Sequence, residues 1–120
     1  MAHELEGKPI TRVFVTHMHP DHVGNAQWLC DQLAVPLFMS LTDYALSRSM
    51  LARPTGSGGL QAAAHFEIHG LSKGEDLDGI VKRGNYYASM VDGLPEQMHR
   101  LMAGQTLQVG SNHWRLDAGF

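Results

Sequence analysis

The chain is nearly devoid of cysteine. Cys30, alone among 120 residues, cannot close an internal disulfide and cannot furnish a multi-cysteine zinc site. Long apolar runs are also missing, and no stretch approaches the ~20 residues that a membrane-spanning helix needs. Charge is sparse: Asp, Glu, Lys and Arg make up 18% of the residues, the net charge is -3, and no basic run stands out. A nucleic-acid partner therefore has no electrostatic footprint to bind. Ala2 to Pro9 is polar and charged, so no secretory signal precedes the first predicted strand. With the single cysteine, which suits a reducing compartment, this points to a cytoplasmic location. There is no internal repeat and no low-complexity tract. What remains is an ordinary apolar content of 43%, in a chain long enough for one domain with a hydrophobic core.

Histidine is the residue in surplus, eight in all, and three of them fall in Thr16-His17-Met18-His19-Pro20-Asp21-His22. The pattern H-x-H-x-D-H follows directly on an apolar run. Neutral imidazole and carboxylate are natural ligands of zinc and other borderline divalent metals. In an extended segment, residues two apart share a side, so His17 and His19 can converge on one ion. Pro20 blocks regular continuation and turns the chain. Asp21 and His22 are adjacent and diverge, so they can serve a second ion. Asp21 has a competing role as a favourable charge at the start of the next helix; its two histidine neighbours favour the ligand role.

Thr16 to Gly24, THMHPDHVG, resembles the signature of the metallo-β-lactamase-fold hydrolases. The resemblance implies an α/β chain, part of an αβ/βα sandwich, and a two-metal site in the whole domain. It places His17 and His19 on the first metal and Asp21 and His22 on the second. It implies zinc, with iron or manganese as alternatives, and a small-molecule acyl substrate: an ester, thioester, lactone or lactam attacked by metal-bound hydroxide. Asp21 would then also be catalytic, orienting the nucleophile and passing a proton to the leaving group. Iron-dependent redox enzymes and nucleases share the frame. The acidic balance counts against the nuclease.

Taken in order, Met1 to Lys8 reads as the end of a helix, stopped by Gly7 and Pro9. Ile10 to Thr16 reads as a buried strand that delivers the motif in its C-terminal loop. Gly24 to Ala34 is predicted helical, with Ala26, Leu29, Cys30 and Leu33 on one face. Cys30 on that face reads as a small core residue. Val35 to Met39 reads as a second strand, completing a βαβ unit. Ser40-Leu41-Thr42-Asp43 is a capping box that opens a helix to about Ala52. Arg53 to Gly59, RPTGSGG, is a flexible break.

Three further helical pieces are predicted: Leu60 to His69, Glu75 to Val91, and a short one from Pro95 in PEQMHRLM. This methionine- and tyrosine-rich region reads as helical core, with a lid over the metal loop as the sharper alternative. His65 and His69 share a helix face, but H-F-E-I-H lacks the glutamate placement of the H-E-x-x-H metalloprotease motif. Thr106 to Val109 and His113 to Ala118 flank a Gly110-Ser111-Asn112 turn and read as a hairpin, with Trp114 and Leu116 on its buried face.

The resemblance also implies strands before the motif and a later histidine-bearing segment. Neither is found, so the expectation is a single partial metallo-β-lactamase-like domain over 1–120, with a helical insertion at about 40–103. Such a piece would expose sheet edges and self-associate. Acting alone, it could be a catalytically incomplete metal-binding fragment.

Overall fold

In the computed structural model, the described residues run from Glu6 to Gly119. The helix expected before Gly7 falls largely outside them. Five strands and six helices follow: β1 Val13–Phe14, α1 Pro20–Val23, α2 Ala26–Leu33, β2 Leu37–Ser40, α3 Leu41–Ala52, α4 Leu60–Ile68, α5 Glu75–Lys82, α6 Tyr86–Met90, β3 His99–Leu101, β4 Thr106–Val109 and β5 Asn112–Arg115. One sheet has the order β1-β2-β3, and β4 pairs with β5 in a separate hairpin.

The βαβ unit is present. β1 and β2 are parallel, with Val13 opposite Leu37 and Phe14 opposite Phe38. Val13 N–H donates to Pro36 (3.0 Å) and Val15 N–H to Phe38 (3.0 Å). The strand expected over Ile10 to Thr16 is regular for two residues, because its pairing with β2 ends where the chain turns into the motif. The helix predicted from Gly24 to Ala34 is present as α2, and a short helix that was not predicted, α1, precedes it across the Gly24-Asn25 turn.

Beneath the sheet, Val15, Val23, Ala26, Cys30, Leu37, Met39, Tyr87, Val91 and Leu94 form the core. Cys30 is buried there, as its place on the apolar face of α2 predicts, and burial, followed by the charge of Asp31, pushes its thiol pKa up. Ser40 caps α3 as predicted: its Oγ accepts from Asp43 N–H (3.0 Å) and donates to Asp43 Oδ2.

Three expectations need correction. Glu75 to Val91 is two helices, because Gly84 interrupts the run and the Asn85 side chain caps a new start by accepting from Ala88 N–H (3.0 Å). No helix follows Pro95. His99–Leu101 instead joins the sheet as β3, parallel to β2, with the His99 ring stacked on Phe38 (4.6 Å between centroids). The hairpin forms with its turn at Gly110-Ser111, but Trp114 remains 60% exposed, because a two-stranded ribbon has no layer packed over it among the described residues.

The shape is elongated. The radius of gyration is 18.2 Å, against about 14 Å expected of a compact domain of this length. The accessible surface is 8777 Å², well above the roughly 6,400 Å² of a compact monomer of the same mass. Two parts pack outside the main core. The α4–α5 pair packs mainly on itself around Ala63 and Leu77, and the β4–β5 hairpin is tied back through the Arg12 guanidinium, which donates to the Gln108 carbonyl.

Candidate metal centre

Every residue of the motif lies at or just after the C-terminal end of β1. Thr16 to His19 form the connecting loop, and Pro20 opens α1, where the absence of an N–H costs nothing. His19 is extended at the N-cap, and its carbonyl accepts from His22 N–H (2.9 Å) and Val23 N–H (3.0 Å). This tight turn brings His22 back beside the loop.

Three imidazoles therefore gather. The ring centroid of His17 lies 4.8 Å from that of His19, edge-on, and 4.0 Å from that of His22. Asp21 Oδ2 lies 3.5 Å from His22 Nε2, with its carboxylate 75% exposed. Thr16 Oγ1 is hydrogen-bonded to His17 Nδ1 (2.9 Å), which leaves Nε2 as the free nitrogen of that ring. Two imidazoles on one tetrahedral zinc have centroids about 5 Å apart, given Zn–N bonds of about 2 Å. The His17–His19 spacing fits that demand and the His17–His22 spacing is tighter than it, while the donor types suit such an ion. Among the described residues, however, no group of three or more His, Cys, Asp and Glu side chains is arranged to hold a metal ion. The loop thus assembles compatible pairs rather than a closed cage.

Two residues not singled out as site residues grip the loop from outside. Asp43 Oδ1 accepts from Met18 N–H (3.1 Å), and Tyr87 Oη donates to the Met18 carbonyl (2.6 Å). The capping box was legible, but its reach to Met18 was not. Tyr87 lies 69 residues from its partner, beyond any local signal. Burial and, secondarily, the nearby Asp43 charge raise the Tyr87 pKa against the opposing Ser47 hydrogen bond, which keeps the phenol protonated and able to donate.

Among the described residues, the other histidines build no comparable cluster. His65 and His69 do share a face of α4 (4.5 Å between centroids), but with two ligands at most among the described residues. A groove of about 790 Å³ lies along the Arg53–Gly59 loop and Val81, away from the motif. α6 packs against α1, and Asp92 N–H donates to the Gly24 carbonyl (3.1 Å), so the helical region touches the flank of the metal loop. No helix among the described residues is long and apolar enough to cross a membrane.

The family model of the metallo-beta-lactamase superfamily matches residues 1–81. Among solved structures, the chain is similar to a beta-lactamase domain protein from Burkholderia ambifaria, with 36% identity and a TM-score of 0.74. That similarity covers 92% of this chain and 30% of the other, so the chain spans less than a third of that protein's length. A search of curated proteins returned no match. With the histidine motif at the end of a strand in a parallel βαβ unit, and the family model covering residues 1–81 of 120, the chain belongs to the metallo-β-lactamase superfamily.

Proposed function

We propose that this chain carries the metal-binding loop of a metal-dependent hydrolase whose substrate is a small molecule with an ester, thioester, lactone or lactam bond. The observation that carries the reading is the gathering of three imidazoles and one carboxylate on the loop after β1 and the short helix α1 that it opens into, in a member of a superfamily composed mostly of hydrolases. His17, His19, Asp21 and His22 would hold the ion or ions, and nitrogen with carboxylate suits zinc, iron or manganese. When bound, such an ion lowers the pKa of water and polarises the scissile carbonyl.

The chain's own residues have separable tasks. Thr16 orients the His17 ring through Nδ1. The Asp21 carboxylate faces solvent and can hold a proton at one oxygen for delivery to a leaving group. Catalysis needs further donors, and the chain spans 30% of its structural neighbour. Hydrolysis is therefore proposed for the complete domain, and the isolated chain is expected to bind metal without turnover.

The test is a panel of ester, thioester, lactone and lactam substrates with the full-length protein and its His17→Ala and Asp21→Ala variants. Loss of hydrolysis in both variants is expected, and retained turnover would reject these roles. Bound iron with redox turnover and no hydrolysis would move the assignment to the iron-dependent oxidoreductases of the same fold.

A further inference from the structure

We infer that Asp43 and Tyr87 are positioning residues for the metal loop, clamping the two peptide groups of Met18 and so fixing the directions of His17 and His19. This rests on the metal-loop reading above and deepens it.

Met18 is the residue between the two histidines. Its N–H belongs to the peptide shared with His17, and its carbonyl to the peptide shared with His19. Asp43 accepts from the first (3.1 Å), and Tyr87 donates to the second (2.6 Å). Peptide groups are planar, so holding both planes sets where the Cα–Cβ bonds of the flanking histidines point. Apart from the Met18 side chain, which packs against the core, the backbone of this stretch has few other restraints. β1 ends at Phe14, and among the described residues no backbone–backbone hydrogen bond reaches Thr16, His17 or Met18 between Val15 and the first turn of α1.

Each half of the clamp is itself held rigid. Asp43 sits in the first turn of α3, with Ser40 Oγ donating to its second oxygen, so its rotamer is fixed by the capping box. The Tyr87 ring is buried in the core, and its oxygen also meets the fully buried Ser47 Oγ (2.9 Å). A carbonyl only accepts, so the single phenolic proton goes to Met18 and Ser47 donates to Tyr87. A core tyrosine that merely needed a partner would be satisfied by Ser47 alone. Two residues from different helices, 25 and 69 positions away, converge instead on the one residue that separates the two candidate ligands.

The experiment titrates zinc into the chain in competition with a chromophoric chelator, for wild type, Tyr87→Phe, Asp43→Ala and Asp43→Asn. Melting temperature and amide exchange at Met18 are read on the metal-free proteins. Removing a group that orients metal ligands typically weakens the metal by about 10–100-fold. That loss is expected for Tyr87→Phe and for Asp43→Ala, and Asp43→Asn, which keeps an acceptor oxygen, should recover part of it. Met18 exchange should accelerate in the two deleting variants. Cys30→Ala, a core change away from the loop, should lower the melting temperature with zinc affinity unchanged. Zinc binding within twofold of wild type in both deleting variants would overturn the clamp, as would unchanged Met18 exchange. Failure of the wild type itself to bind zinc would overturn the metal-loop reading. In that event the exchange data still decide whether the clamp exists.

Discussion

Gly24 and Gly79 should respond in opposite directions to the same substitution. Both have right-handed helical or otherwise ordinary backbone, so neither needs glycine's conformational freedom. They differ in what surrounds them. A Cβ at Gly24 would stand 2.6 Å from the Pro20 carbonyl oxygen and 2.8 Å from that of Met90, whereas a Cβ at Gly79 meets nothing within 4 Å. Both obstacles at Gly24 are backbone atoms, one within α1 and one at the end of α6, so relief requires loosening the last turn of α1 as well as separating it from α6. Overpacking of this kind typically costs about 1–3 kcal/mol, offset by roughly 0.5–1 kcal/mol from removing a flexible glycine. Gly24→Ala should therefore destabilise by about 1–2 kcal/mol. Gly79→Ala, inside α5, should stabilise by about 0.5–1 kcal/mol through helix propensity. Urea denaturation monitored by circular dichroism measures both. Because the Gly24 contact joins the metal loop's flank to α6, Gly24→Ala should also weaken zinc binding. Equal stability changes for the two variants would refute the claim that α6 is pressed against α1 at this point.

The buried acids set a pH limit on stability. Burial raises the pKa of both Cys30 and Tyr87 above their ordinary values of 9.0 and 10.0. The folded chain thus keeps these protons to higher pH than the unfolded chain, so their contribution is intact below those values and is lost as the pH rises through the folded ones. Urea midpoints should be flat near neutrality and fall above about pH 9, with the fall reduced in Cys30→Ala and Tyr87→Phe; an unchanged alkaline fall in both would contradict the assignment. We also propose self-association of this chain. Phe14, Trp28 and Trp114 are 38%, 49% and 60% exposed, and β1 and β3 stand at the ends of their sheet among the described residues. Light scattering should show mass rising with concentration, reduced in Trp114→Ser; a strictly monomeric chain would sink the proposal.

How much of this was legible in the sequence follows from how local each signal is. α3 was readable to the residue, because Ser40 and Asp43 cap it within four positions and Arg53 stands before a proline. The four candidate metal ligands were readable as a group because they fall within the single stretch His17 to His22. β3 was missed because His99-Arg100-Leu101 has no β-branched residue; pairing with β2, whose Phe38 stands opposite His99, decides its conformation. The break between α5 and α6 was signalled by Gly84, but it takes the Asn85 side chain to start the new helix. The alternation around Trp114 correctly marked a strand. It could not say whether anything packs on that face. The clamp on Met18 is wholly tertiary, and no local pattern marks Tyr87 as its donor.

The central claim is that Thr16 to His22 is a ligand set, and metal content tests it most directly. The chain and its His17→Ala/His19→Ala double variant would each be equilibrated with zinc, freed of excess and measured by elemental mass spectrometry. The account predicts near-stoichiometric zinc on the chain and its loss from the variant. Equal zinc on both, or none on the unaltered chain, would contradict it.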